Sequence, residues 1–198
     1  MSELLTLRGL LGLAPAPVPL AQSALILVDC QNTYREGLMQ LEGVEPALDQ
    51  CAALLARARK LGIPRFHIQH DAGPGSPYDL SAPIGQIADK VRPLAGEPVV
   101  VKNYPNSFLN TTLHEQLQRA GAKNLVIVGF MTHMCISSTA RAGFDLGYPC
   151  TVVAGATATR PLPLCGSVCP AAQVQASNLA AITDLFAVVV ESERQIPD

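Results

Sequence analysis

A chain of 198 residues with a net charge of −2 is long enough for one domain that buries a core without disulfides or metals. Its longest basic cluster is RARK at 57–60, so it carries no electrostatic footprint for nucleic acid or an anionic membrane, and a small molecule is the expected partner. Only 15% of its residues are charged against 48% hydrophobic, fewer than a free surface calls for, and a homo-oligomer (dimer or tetramer) is expected to cover the difference.

Residues 1–22 read as an N-terminal arm. Within them LRGLLGLAPAPVPLA (7–21) has an apolar stretch of only about five residues followed by prolines, which suits a polyproline-like arm better than a secretory signal, and the expected location is cytoplasmic. No apolar run reaches the roughly 18 residues that a membrane span needs. The remainder, 23–198, reads as one domain.

ALILVD (24–29) is the first of six short β-branched or apolar runs, followed by RFHIQH (65–70), PVVVK (98–102), NLVIVG (124–129), CTVVAG (150–155) and FAVVVE (186–191). They lack polar alternation, the pattern of strands covered on both faces of a parallel sheet. Between the first two, PALDQCAALLARARKLG (46–62) places Leu48, Cys51, Leu55 and Ala58 on one helical face and stops at Gly62. The Gly/Pro-rich DAGPGSPYDLSAP (71–83) is long enough to be a binding loop. TLHEQLQRAG (112–121) opens on Thr112-x-x-Glu115, a capping box, and closes on Gly121. Further helices are predicted from Met134 to Leu146 and over AAQVQASNLAAITDL (171–185). The alternation predicts an α/β fold: a three-layer, Rossmann-like sandwich whose six-stranded, mainly parallel sheet carries helices on both faces.

In such sheets ligands bind outside the carboxyl ends of the strands. Asp29 ends the first strand, His70 and Asp71 the second, Lys102 the third, and Cys135 follows the fourth, so an acid, a base and a thiol converge on one rim. Cys135 is predicted in the first turn of a helix, where unpaired N–H groups favour an anion, and a neighbouring Lys102 would add to the effect. The thiol is therefore expected to ionise below its ordinary value of about 8.5. Each residue also has a plainer role open to it: Cys135 as an inert buried thiol, Asp29 as a helix cap or salt-bridge partner, Lys102 as a strand-end lysine reaching water. Together the three suit acyl transfer, in which Asp29 takes the thiol proton, Lys102 stabilises charge and Cys135 attacks a carbonyl carbon. Backbone N–H groups between Phe130 and Cys135 would hold the oxyanion. The six cysteines (30, 51, 135, 150, 165, 169) show no C-x-x-C pair and no metal-ligand spacing, so reduced thiols are the default.

LVDCQNTY (27–34), KNYPNSFLNTTL (102–113) and VIVGFMTHMCISSTARAGFDLGYPCTVVAGATATR (126–160) occur in this order at predicted strand ends. With them the chain resembles the isochorismatase-like cysteine hydrolases, which include nicotinamidases, N-carbamoylsarcosine amidases and ureidoacrylate amidohydrolases. The resemblance implies a catalytic triad of Asp29, Lys102 and Cys135, a cis bond between Phe130 and Met131, and an oxyanion hole made by the Met131 and Cys135 N–H groups. True isochorismatases act on a vinyl ether and lack this cysteine, so its presence implies a C–N bond of a small amide, ureide or carbamoyl compound; a non-amide substrate is the alternative. Nicotinamidases carry an Asp-x-His and a further His for a metal. Here His67 and His70 lack that spacing and fall on opposite sides of a regular strand, so no metal and no cofactor are expected. Tyr34, His70, Asn106, Phe108, His133 and Arg160 are substrate-pocket candidates by position, with local packing or capping equally open to each. Two rivals stand outside the hydrolases. A non-catalytic nucleotide-binding module lacks its Gly-rich turn after the first strand, and a thiol redox protein would use Cys165 and Cys169.

Overall fold

The six apolar runs form one sheet in the computed structural model, which describes residues 5–198. In chain order the elements are α1 (Leu7–Leu10), β1 (Ala24–Val28), α2 (Val44–Leu61), β2 (Arg65–His70), β3 (Val99–Lys102), α3 (Leu113–Arg119), β4 (Leu125–Phe130), α4 (Ser137–Asp145), β5 (Cys150–Ala158), β6 (Leu162–Leu164), β7 (Ser167–Cys169), α5 (Ala171–Leu185) and β8 (Val188–Val190). The sheet order is β3-β2-β1-β4-β5-β8, and every neighbouring pair is parallel, so the mainly parallel sheet of the sequence reading is wholly parallel. Strand order reverses at β1, between β2 and β4, the point at which an open α/β sheet leaves a crevice.

One sheet face turns Leu25, Leu27, Val126 and Val128 toward α2, whose Val44, Ala47, Leu48, Cys51, Leu54, Leu55 and Ala58 form a buried stripe at helical spacing. Gly62 ends that helix in the left-handed region at φ 68°, donating its N–H to the carbonyls of Ala58 and Arg59. The opposite face turns Ile26, Val28, Ile127 and Val152 toward Leu117 of α3, Ala140 of α4 and Ile182 of α5. β1 and β4, central and buried along their whole length, follow the covered-strand pattern. β3 does not. As an edge strand it leaves Val99 and Val101 41% and 46% exposed, because no helix among the described residues covers that side of it.

Other departures have local causes. Thr112 sits at φ −91° and ψ 8°, outside the extended region that turns an N-cap side chain back on the helix, so its hydroxyl accepts from the Gln116 amide at 2.8 Å and the expected capping box is absent. The helix predicted from Met134 begins as a π-turn over Thr132–Ile136 that leads into α4. The first four residues of the expected arm lie outside the described residues. The rest is not polyproline throughout, since Thr6 caps α1, and α1 is tied to α5 by the Leu7 N–H on Asp184 and the Arg8 guanidinium on the Leu185 carbonyl. No helix among the described residues is long and apolar enough to cross a membrane.

β6 and β7 form a hairpin that the sequence pattern did not suggest, with Cys165 and Gly166 as its two turn residues at φ 48° and 79°. Leu162 faces Cys169 across it. Cys165 therefore stands about 10 Å along the ladder from Cys169, beyond the reach of a disulfide, and the redox pair of the rival reading is not assembled within one chain.

Two contacts fix the sheet where function will need it. Gly129 pairs with Val28 at φ 114°, and a Cβ there would lie 2.0 Å from the Val28 carbonyl oxygen, so only glycine lets β4 close on β1. Gly129→Ala is expected to destabilise the protein by about 3 kcal/mol or more, read by chemical denaturation. At the β3 edge, buried Glu97 accepts from Arg59, Arg65, His67 and the Leu94 N–H, joining α2, β2 and the segment before β3. Led by the Arg59 hydrogen bond, these partners hold its carboxyl well below the ordinary range. A depressed acid contributes stability above its unfolded value and loses it as pH falls, so Glu97→Gln should be less stable at neutral pH and converge with wild type on acidification.

Candidate active site

The rim at the switch point collects the strand-end residues. Asp29 leaves β1 at φ 48°, a left-handed conformation uncommon for a residue with a side chain, and is fully buried. Its Oδ2 accepts from the Lys102 Nζ at 2.7 Å, whereas its Oδ1 is buried with no partner. Lys102, paired with His70 across the ladder at the end of β3, is 1% exposed. It does not reach water as a strand-end lysine would. Its ammonium also meets the His70 Nδ1 at 3.1 Å and the Cys135 Sγ at 3.4 Å. A lone buried ammonium costs several kcal/mol, and these three neighbours are what make the burial tolerable.

Cys135 lies in the π-turn and is 4% exposed. The Phe130–Met131 bond is cis. The Met131 carbonyl accepts from the N–H groups of Met134 and Ile136, while the Met131 N–H enters no hydrogen bond among the described residues. The Cys135 N–H belongs to the opening turn of the helical segment, where N–H groups lack helical partners. The expectation of a depressed thiol is reversed: burial and the Asp29 charge push Cys135 well above its ordinary value, and Lys102 opposes them only in part. Burial likewise raises Asp29, against the pull of Lys102. The resting site therefore holds a thiol beside the hydrogen-bonded Asp29–Lys102 pair.

Of the pocket candidates, Tyr34 and His70 adjoin this cluster, and His133 and Arg160 lie close enough to feel one another's charge. Tyr34 is buried edge-on to Phe130 at 5.7 Å, with burial keeping its phenol protonated. His70 touches Lys102, and His133 meets the Thr159 hydroxyl at 2.6 Å through Nδ1. Arg160 has a buried Nε without a partner and makes no ion pair among the described residues, and its charge reaches Tyr78 and His133. The other two pack elsewhere. Asn106 caps its own loop by accepting from the Phe108 N–H, and Phe108 stacks on Tyr148 at 6.3 Å. His67 is bound to Glu97 at 3.1 Å on the far side of β2, apart from His70.

Sequence reasoning passed over two residues here. Tyr78, from the 71–83 loop, lies 4.8 Å from His70 and 5.9 Å from Tyr34, roofing the rim. It is the one aromatic in a loop already marked for binding. Gln31, fully buried two residues after Asp29, clamps the His70 main chain and the Gly85 carbonyl.

This arrangement has counterparts. The family model for the isochorismatase domain matches residues 23–194. An isochorismatase family protein of Bacillus subtilis, YddQ, is 39% identical over 86% of this chain and 97% of its own, and a secreted isochorismatase effector of Verticillium dahliae is 34% identical over 94% and 96%. Streptothricin hydrolase of Streptomyces noursei (31% over 80% of this chain and 57% of its own) and ureidoacrylate amidohydrolase RutB of Pseudomonas syringae pv. syringae (31% over 69% and 70%) are also similar. A crystal structure of an isochorismatase from Pseudomonas putida superposes with a TM-score of 0.92 at 40% identity, covering 96% of this chain and 97% of that one. The chain belongs to the isochorismatase family of hydrolases.

Proposed function

We propose that the chain hydrolyses a C–N bond of a small amide, ureide or carbamoyl compound, with Cys135 as nucleophile and Asp29 as proton carrier. The observation that carries this reading is the free Asp29 Oδ1 in the same buried cluster as the Cys135 thiol, with the Lys102 ammonium holding the other oxygen. As the sulfur attacks the carbonyl carbon, its proton passes to Asp29, and the oxyanion accepts hydrogen bonds from the Met131 and Cys135 N–H groups. Asp29 then gives that proton to the departing nitrogen, leaving a thioester on Cys135. Water attacks the thioester as Asp29 takes one of its protons, and the returning proton restores the thiol. Lys102 neutralises the carboxylate throughout, which allows a buried acid to be ionised at rest and basic enough to act.

The relatives named streptothricin hydrolase and ureidoacrylate amidohydrolase support C–N chemistry. Arg160 supports a substrate that carries a carboxylate, because its Nε is buried without an acceptor beside the roof formed by Tyr78. A vinyl ether is the second reading, favoured by the Verticillium relative.

A screen scored for ammonia and for pyruvate separates the two: N-carbamoylglycine and 3-ureidopropionate against neutral methylurea for the first, isochorismate for the second. Ammonia release that survives in Cys135→Ala, or pyruvate release alone, would sink the C–N reading. Asp29→Asn should cost about three orders of magnitude in kcat, measured on the fraction that folds. Wild-type activity should fall on acidification through a value above the ordinary carboxylate range, since the raised acid must be ionised to work. Arg160→Gln should lower kcat/KM for the acidic substrates by about a hundredfold and leave neutral ones within a few-fold.

The same geometry orders the thiols. Cys165 is exposed and Cys135 is buried and un-ionised. Iodoacetamide should label Cys165 first without loss of activity, and inactivation should track the slower labelling of Cys135, accelerating at alkaline pH.

A further inference from the structure

The Lys102 ammonium has three hydrogens and three acceptors: Asp29 Oδ2 at 2.7 Å, His70 Nδ1 at 3.1 Å and Cys135 Sγ at 3.4 Å. An imidazole nitrogen accepts only when it is bare, which puts the ring proton of His70 on Nε2. The residue is also held from behind. Gln31 grips both ends of its main chain, taking the His70 N–H on Oε1 at 2.9 Å and giving Nε2 to the His70 carbonyl at 3.0 Å, while Tyr78 lies edge-on to the ring. So much support for one strand-end histidine exceeds what the sheet needs, since the β2–β3 ladder already pairs His70 with Lys102.

We propose that His70 is a positioning residue for Lys102: its bare Nδ1 takes one ammonium hydrogen and so keeps the cation between the Asp29 carboxylate and the Cys135 thiol. This rests on the reading of those three as the reacting cluster. Protonated His70 offers no acceptor and places a second cation beside the first, so the ammonium is released on acidification. The groups that face His70 are Lys102 from β3, Asp29 from the end of β1, Asp71 beside it in the chain, the Tyr78 phenol from the 71–83 loop and, through Lys102, Cys135 from the π-turn. Burial and the Lys102 charge hold the imidazole below its ordinary value, while Asp29 and Asp71 pull the other way. The neutral, accepting form is thus the one present at neutral pH.

Nitrogen-15 NMR of histidine-labelled protein reads the tautomer directly, with the signal assigned by its loss in His70→Asn. The expected result is a bare Nδ1 at neutral pH and a titration below that of a free imidazole, moving up in Lys102→Met. A proton on Nδ1 at neutral pH, or a titration that Lys102→Met leaves in place, overturns the proposal. Iodoacetamide labelling of Cys135, followed by peptide mapping, supplies the second readout. His70→Ala should slow it about fivefold or more, and His70→Asn, whose amide oxygen replaces the accepting nitrogen, should restore it to within about twofold. Equal rates in all three proteins also overturn it. Neither readout needs turnover, so a failure here is distinct from a failure of the hydrolase reading, which ammonia release and Cys135→Ala decide.

Discussion

The ion pair between Lys102 and Asp29 is the constraint on which the rest of the rim depends. Both side chains are fully buried, and neither is tolerable there alone. Because the two charges come from β3 and β1, with β2 between them, the pair has meaning only if three parallel strands end at matching heights. The ladder register from β1 through β2 to β3 supplies that match, and the ionic cluster at Glu97 anchors the same edge from the opposite end of the strands. Positive and negative charge are thus placed by backbone pairing rather than by flexible side chains finding one another.

What the pair does for chemistry follows from its asymmetry. One carboxylate oxygen is occupied by the ammonium and the other has no partner, so the acid is held in place while keeping an unused acceptor. The sulfur is likewise kept as a thiol by burial and by the nearby carboxylate, which the ammonium offsets only in part. On the proposed reaction, reactivity is deferred until a carbonyl arrives, and the resting protein does not carry an exposed Cys135 thiolate open to oxidation.

Much of this was legible in the sequence because the rule that locates it needs so little. Six apolar runs and the residues that end them suffice to bring Asp29, Lys102 and Cys135 to one rim, whatever the side-chain rotamers. The sign of the Cys135 shift was not legible, since it depends on how deeply the thiol is buried and on a carboxylate from another strand. Asn106 and Phe108 stand near Lys102 in sequence, yet Asn106 accepts from the Phe108 N–H within its own loop and Phe108 stacks on Tyr148, for the chain direction after β3 leaves no trace in residue type. Tyr78 and Gln31 were missed for the opposite reason: both are distant or inconspicuous in sequence and become neighbours of His70 only when the 71–83 loop folds back over the rim. The β6–β7 hairpin has strands of three residues, one holding a proline, too short for alternation to register.

The depth of the cluster has a further implication for what the enzyme accepts as a second reactant. With Asp29, Lys102 and Cys135 between 0% and 4% exposed, the thioester would form out of contact with bulk solvent, and the attacking water must occupy the space that the departing nitrogen leaves. The leaving group and the incoming nucleophile thus share one berth of molecular size. On the proposed reaction, the Tyr34 and Tyr78 rings, 5.9 Å apart, would favour a nucleophile as small as water, ammonia or hydroxylamine over a larger amine. On the proposed reaction, choice of hydrolysis over transfer would then be a matter of volume, set by two aromatic side chains rather than by the sulfur or the carboxylate.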